Sequence, residues 1–89
     1  MHVIRVFQVI ITPEALKQYS RLNKSEQIKI KKKLLLFEQY PYEGKKLSGK
    51  LAEVRSLKAW PYRIIYYIDE KTRKVFIVTI AHRQGVYKN

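Results

Sequence analysis

Residues 62–68, Tyr-Arg-Ile-Ile-Tyr-Tyr-Ile, constrain the fold more than any other stretch of this sequence. All but Arg63 are β-branched or aromatic, the residue types that favour a strand. Alternation along a strand puts Tyr62, Ile64, Tyr66 and Ile68 on one face and Arg63, Ile65 and Tyr67 on the other. The first face is continuously apolar and large, so it has to be buried. The second carries an arginine in mid-strand, where a core would gain nothing from it. Either that face is open and Arg63 is solvated, or Arg63 is aimed at something. The working reading is that the second face is a functional surface supported by the rest of the chain.

The cover for the apolar face comes from residues 13–39. Residues 3–11 read as a first strand, followed by Thr12-Pro13-Glu14. Threonine suits a helix N-cap, proline the first helical position, and glutamate the positive end of the helix dipole. A short helix is expected over 13–21, with Leu16 and Tyr19, and Leu22 at its end, facing inward. Asn23-Lys24-Ser25-Glu26 offers a second helix start, with Asn23 or Ser25 as the cap. That helix runs to about residue 39 and turns Ile30, Leu34 and Phe37 inward, flanked by Ile28 and Leu35. Lys29, Lys31, Lys32 and Lys33 read as its solvated face. Tyr40-Pro41-Tyr42-Glu43-Gly44 stops it, and residues 45–50 read as a basic loop. Strands are expected over 51–58, 62–68 and 74–81, with a tight connection at Ala59-Trp60-Pro61 and a hairpin turn at Asp69-Glu70-Lys71-Thr72. Trp60 reads as a packing or turn anchor. The order is β-α-α-β-β-β: an α+β fold in which a helical hairpin covers one face of a twisted antiparallel sheet and leaves the other open.

Eighty-nine residues make a single domain, residues 1–89, and 46% hydrophobic content suffices for its core. Nineteen Lys plus Arg against seven Asp plus Glu give a formal net charge of +12. In so small a domain this implies a polyanionic partner: nucleic acid, an acidic protein segment, or an anionic membrane. Without cysteine there is neither a disulfide framework nor a thiolate metal site, and His2 and His82 make a poor metal set. No cofactor is implied. The apolar run of residues 3–11 is too short for a membrane helix and is broken by Arg5 and Gln8. The expected setting is cytoplasmic, with no membrane partner.

Strand parity maps the open face. Phe76, Val78 and Ile80 are the bulkier set of their strand and are expected under the helices. Val75, Ile77, Thr79 and Ala81 then face out, and Arg83 continues that parity. With Leu57 inward, Val54, Ser56 and Lys58 face out. Lys58, Arg63 and Arg83 thus converge on one face, with Tyr87 just beyond; a one-residue bulge near Trp60-Pro61 or at His82 would spoil part of this map. Such a cluster makes chemical sense for RNA. Arginine grips phosphate bidentately and can stabilise a pentacoordinate phosphorus centre. Tyrosine can stack on an unpaired base. RNA supplies its own nucleophile, the 2′-hydroxyl, so cleavage needs positioning, proton transfer and charge stabilisation but no metal. His82 is the residue of this region whose unperturbed pKa lies near neutrality, although parity places it on the opposite face. Lys45, Lys46 and Lys50, with Arg55 on the next strand, are candidate RNA-backbone contacts. Each residue also has a plain reading: a solvated Arg63, Arg83 or Lys58, a structural His82, a Tyr87 that pins the chain end to the core.

These pieces resemble the RelE/ParE family of toxins from toxin–antitoxin modules. The resemblance rests on Leu47-Ser48-Gly49, Leu57-Lys58, Tyr62-Arg63-Ile64-Ile65-Tyr66, and His82-Arg83-Gln84-Gly85-Val86-Tyr87, which is like the family's His-Arg-x-x-x-Tyr ending. Each is weak alone; in this order, in a basic chain of this length, they point to the family. The resemblance implies one of two activities. RelE-like members enter the ribosomal A site and cleave mRNA; ParE-like members inhibit DNA gyrase and are not nucleases. Both imply a cognate antitoxin that wraps the toxin with an acidic or amphipathic segment. By resemblance, Arg63 and Arg83 fall where RelE-like members keep phosphate-binding and transition-state arginines, Tyr87 near their base-stacking tyrosine, and Lys58 at the end of their basic strand. Ser56 departs from the pattern, since RelE-like nucleases often carry a cation there. The expectation is a ribosome-dependent mRNA endonuclease, with Lys58 or His82 assisting proton transfer; the alternatives are a gyrase inhibitor or a catalytically decayed basic binding module.

Overall fold

A computed structural model describes residues 7–47 and 53–83. The elements are β1 (Gln8–Ile11), α1 (Pro13–Ser20), α2 (Lys24–Leu36), a single 3-10 turn (Pro41–Glu43), β2 (Lys45–Lys46), β3 (Glu53–Ala59), β4 (Tyr62–Asp69) and β5 (Lys74–His82). The five strands form one sheet in the order β1-β5-β4-β3-β2. The α+β architecture is the one expected, with the helical hairpin on one sheet face. The sheet is mixed rather than wholly antiparallel, because β1 runs parallel to β5. After β1 the chain crosses over through the two helices and re-enters at the far edge. Three antiparallel steps from β2 then bring β5 back beside β1, pointing the same way. The residues of the expected first strand before Phe7 lie outside the described residues.

Local sequence accounts for both helix starts. Thr12 and Asn23 are the N-caps, their side chains accepting from the backbone N–H of Ala15 and Glu26, and Pro13 opens α1. The hairpin is clasped reciprocally: the Tyr19 hydroxyl donates to Gln27 O at 3.2 Å and Gln27 Nε2 donates to Tyr19 O at 3.0 Å. Ile30, Leu34 and Phe37 are buried against Ile64, Tyr66, Ile68 and Ile80, as the spacing required. In α1 the inward residue is Ala15, not Leu16, which is 53% exposed. The helix sits so close to the sheet that a methyl fills the contact, and the larger leucine is turned aside.

Strand β1 ends after pairing Ile11 with Ile77, and among the described residues no strand flanks the rest of β5 on that side. Helix α1 supplies the missing partners. Thr12 Oγ1 donates to Ile77 O at 2.7 Å, and Gln18 Oε1 accepts from Ile80 N at 2.6 Å. Thr12 therefore caps α1 and docks it at once. Thr12→Ala is expected to lower stability by about 1–2 kcal/mol in a denaturant titration, the upper end of a cap deletion.

The parity map needs a correction in β5. Val75 and Ile77 are buried on the helix side, together with Ile80. Ile65 pairs with Thr79 while Tyr66 pairs with Ile77, so Val78 is an extra residue, a β-bulge. Beyond the bulge Ile80 faces in and Thr79 and Ala81 face out, as expected. Before it Val75 and Ile77 face in, and Phe76 lies on the open side, its ring stacked on Tyr67 at 5.0 Å. The expected basic loop is also partly strand: Lys45 pairs with Ser56 and Lys46 with Arg55. The Tyr66 hydroxyl seats this segment, accepting from Gly44 N at 2.9 Å and donating to Pro41 O at 2.8 Å.

Candidate functional site

A cleft of about 130 Å³ opens at the Tyr62 end of β4, lined by Lys58, Trp60, Tyr62, Arg63 and Arg83. Register brings its cations together. Lys58 lies directly across from Arg63, and Arg63 across from Ala81, two residues before Arg83. Like charges in direct cross-strand opposition destabilise a sheet. The chain keeps that opposition next to a third cation, and the described lining includes no carboxylate. An anion in the cleft would offset the repulsion.

Arg83 is placed by two contacts. Its backbone N–H donates to Pro61 O at 2.7 Å, fixing the end of β5 to the turn between β3 and β4. Its guanidinium lies 4.9 Å from the centre of the Trp60 ring. The turn is tied to α2 as well, because Lys29 Nζ donates to Trp60 O at 2.6 Å and pairs with Glu26 at 3.3 Å. Trp60 thus serves as a turn anchor through its backbone, but it does not pack into the core: the residue is 63% exposed at the rim of the cleft. A lone tryptophan beside a turn proline gives no sequence signal that separates these two roles.

The other candidate residues are dispersed. His82 pairs with Tyr62, and the rings meet edge to face at 5.4 Å. This sets it on the face opposite Arg63, away from the three cations, because the regular alternation beyond the Val78 bulge carries Ala81 to the open side and His82 to the other. Arg55, expected at the RNA, shares a face with Tyr66. Its guanidinium donates to Gly44 O at 2.8 Å and Tyr42 O at 3.3 Å and lies over the Tyr42 ring, so it braces the 3-10 turn. Lys45 shares the open face with Ser56 through their pairing, whereas Lys46 pairs with Arg55 on the other face. Ser56 is buried, and its hydroxyl has no hydrogen-bond partner among the described residues. Tyr87, Lys50 and the Ser48-Gly49 part of the loop motif lie outside the described residues.

A larger hollow of about 410 Å³ lies at the opposite end of β4, lined by Phe7, Pro41, Tyr42, Glu70 and Arg73 among others. Its charges are already matched. Glu70 accepts from the Tyr42 hydroxyl, and Arg73 lies over the Phe7 ring at 5.5 Å. Its lining holds one carboxylate besides one cation, whereas the described lining of the smaller cleft carries three cations and no carboxylate. Among the described residues no group of three His, Cys, Asp or Glu side chains is placed to hold a metal ion, and no helix is long and apolar enough to cross a membrane.

Comparison with known proteins agrees with this architecture. The fold is similar to the archaeal RelE of the RelE–RelB complex from Pyrococcus horikoshii, with a TM-score of 0.80 at 20% identity, covering 88% of this chain and 96% of that one. It is similar to a chain of the RelBE2 toxin–antitoxin complex from Mycobacterium tuberculosis, with a TM-score of 0.76 at 25% identity, covering 86% and 98%. A YoeB/ParE toxin from Agrobacterium tumefaciens aligns with a TM-score of 0.71 at 15% identity, covering 85% and 98%. No curated protein sequence matches significantly. The sequence profile described as "ParE toxin of type II toxin-antitoxin system, parDE" matches residues 9–87. With nearly its whole length matched, the chain belongs to the RelE/ParE family and is the toxin of a type II toxin–antitoxin module.

Proposed function

We propose that this toxin is a ribosome-dependent mRNA endonuclease that works without a metal. The observation that carries the reading is the cleft in which Lys58, Arg63 and Arg83 meet, two of them in direct cross-strand opposition. A phosphodiester seated there places its charge among three cations. The RNA 2′-oxygen attacks the adjacent phosphorus, the bond to the 5′-oxygen breaks, and a cyclic phosphate is left on the upstream fragment. Arg63 and Arg83 stabilise the charge that develops on the equatorial oxygens, with bidentate guanidinium geometry. Lys58, which lines the cleft, gives a proton to the departing 5′-oxygen, and the 2′-hydroxyl proton passes to solvent water; His82 lies on the other face. Tyr87, which follows Arg83 by four residues, is assigned by resemblance to orienting a base. The partners are mRNA on the ribosome and a cognate antitoxin whose acidic or amphipathic segment neutralises the +12 chain.

A second reading is favoured by one observation: the matching profile is that of ParE toxins. Ser56, where RelE-like nucleases often carry a cation, fits it too. On that reading the cleft binds without cleaving, and the target is DNA gyrase. Controlled expression followed by mapping of mRNA 5′ ends separates the two. Codon-phased cuts that disappear when translation is blocked are expected. Intact mRNA combined with lost gyrase supercoiling would replace the nuclease with the inhibitor.

A further inference from the structure

We propose that Trp60 is a stacking platform for an unpaired nucleobase, built into the rim of the cationic cleft. The inference rests on the nucleic-acid reading of that cleft and adds a base-binding subsite to it. Three observations combine. The indole is large and apolar, yet 63% exposed, and it does not belong to the hydrophobic core or to the partly buried residues packed on it. An exposed aromatic of this size gains by being covered. Its position is fixed by its own backbone: the Trp60 carbonyl is held by Lys29 Nζ at 2.6 Å and the next carbonyl, Pro61, by Arg83 N at 2.7 Å. The turn that carries the ring is therefore tethered at two successive carbonyls, so little backbone ordering is left to lose on binding. Finally, the ring shares its cleft with Lys58, Arg63 and Arg83, and the Arg83 guanidinium lies 4.9 Å from its centre.

That arrangement has the two parts a single-stranded nucleic acid requires: cations for the backbone and an adjacent π-face for a base. The guanidinium lies over the ring, and the residue still keeps 63% of its surface exposed for a ligand. The cation also polarises the ring on which the base stacks. Because every base has a π-face, the subsite discriminates unpaired from paired nucleotides and carries little sequence preference of its own. Double-stranded nucleic acid, whose bases are already stacked, gains nothing from it.

Trp60 is the sole tryptophan of the chain, so its fluorescence reports this subsite alone. The test titrates the full-length protein at low salt with a short single-stranded RNA, 2′-O-methylated to prevent cleavage, and with an abasic strand of the same length. The base-bearing strand is expected to quench Trp60 emission saturably and to bind about 5- to 150-fold more tightly than the abasic one, the range for one stacked base. Trp60→Ala should abolish that difference, with circular dichroism showing that the variant is folded, and Trp60→Phe should keep part of it. Salt-sensitive binding of both strands with equal affinity and unchanged emission would overturn the platform while sparing the phosphate cleft. If neither strand binds, the nucleic-acid reading fails and the platform with it.

Discussion

On the proposed nuclease reading, Arg83→Ala is expected to fold normally and to cleave mRNA about 100- to 1000-fold more slowly than the unaltered toxin, the usual consequence of deleting one preorganised donor to a developing oxyanion. The two halves of this expectation have separate structural causes. The fold survives because Arg83 contributes its backbone, not its side chain, to the sheet: the N–H bond to Pro61 O at 2.7 Å persists in any non-proline variant. The guanidinium is exposed and makes its described contact with Trp60, an interaction of about 0.5–1 kcal/mol at an exposed site. Activity falls because Arg83 completes a cluster whose other cations, Lys58 and Arg63, sit on two other strands and cannot move to replace it. If Arg83 meets its charge chiefly in the pentacoordinate state, kcat and kcat/KM fall by the same factor; a ground-state phosphate grip would raise KM instead. Arg83→Lys keeps the charge but loses the two-pronged fork, so it should recover only part of the rate. The measurement is single-turnover cleavage of ribosome-bound mRNA, with circular dichroism as the folding control. A well-folded Arg83→Ala toxin of normal activity would remove the arginine from the mechanism.

The route from sequence to this cleft was legible where one physical rule acted alone. Residues 62–68 showed their buried face because nothing interrupts the alternation in β4, and parity put Lys58 on the face of Arg63, where the register of β3 and β4 sets the two directly opposite. The helix starts were legible because Thr12-Pro13 and the Asn23/Ser25 pair carry capping chemistry in the side chain, and the structure selects Asn23 for the second. Other features depend on tertiary partners that no local pattern encodes. The bulge at Val78 moves Val75 and Ile77 to the core, and Val75, Phe76, Ile77 and Val78 are all apolar, so either face of that half-strand looked suitable for burial. Lys45-Lys46 becomes an edge strand because the segment is anchored from outside, by the Tyr66 hydroxyl and Arg55. Arg55 read as a surface cation for the same reason: the carbonyls it bridges belong to Tyr42 and Gly44, more than ten residues away in sequence. Ala15 replaces Leu16 at the core because close approach of α1 to β5 rewards the smaller residue, a distance that helical periodicity does not contain.

Gly44→Ala is the substitution expected to damage the fold most, by about 3 kcal/mol, a large fraction of the stability of a domain this small. The requirement is for space, not for an unusual backbone: Gly44 has φ −76°, which any residue adopts. A Cβ there would meet the Tyr66 hydroxyl at 2.6 Å, Ser56 O at 2.9 Å and Tyr66 Cε1 at 3.0 Å. None of these can yield cheaply. Ser56 O belongs to the backbone of β3, and the Tyr66 ring is fully buried against Phe37 with ring centres 4.1 Å apart. Moving the hydroxyl also breaks its bonds to Gly44 N and Pro41 O, stranding two buried polar groups. Tyr66→Phe strands the same two groups without the clash and should cost about 2 kcal/mol. Because both substitutions break one network, the double variant should lose less than the sum of the two. A pH signature separates this network from simple packing. Burial pushes the Tyr66 phenol above its ordinary 10.0, with the Gly44 hydrogen bond and the nearby Arg55 charge pulling the other way and Glu43 adding to the rise. The folded state therefore holds this proton more tightly than the unfolded state. The stability it contributes is fully present below pH 10 and is lost as pH rises through the elevated value of the folded protein. Unfolding midpoints of the unaltered protein should thus fall more steeply above pH 10 than those of Tyr66→Phe; parallel curves would show that the phenol is not held neutral by this site. The same seat bears on the cleft. Lys45 directly follows Gly44 and shares the open face with Ser56, two residues along β3 from Lys58. A displaced Gly44 would withdraw Lys45 from that face, so Gly44→Ala should weaken binding of a single-stranded RNA backbone even under conditions where the variant remains folded.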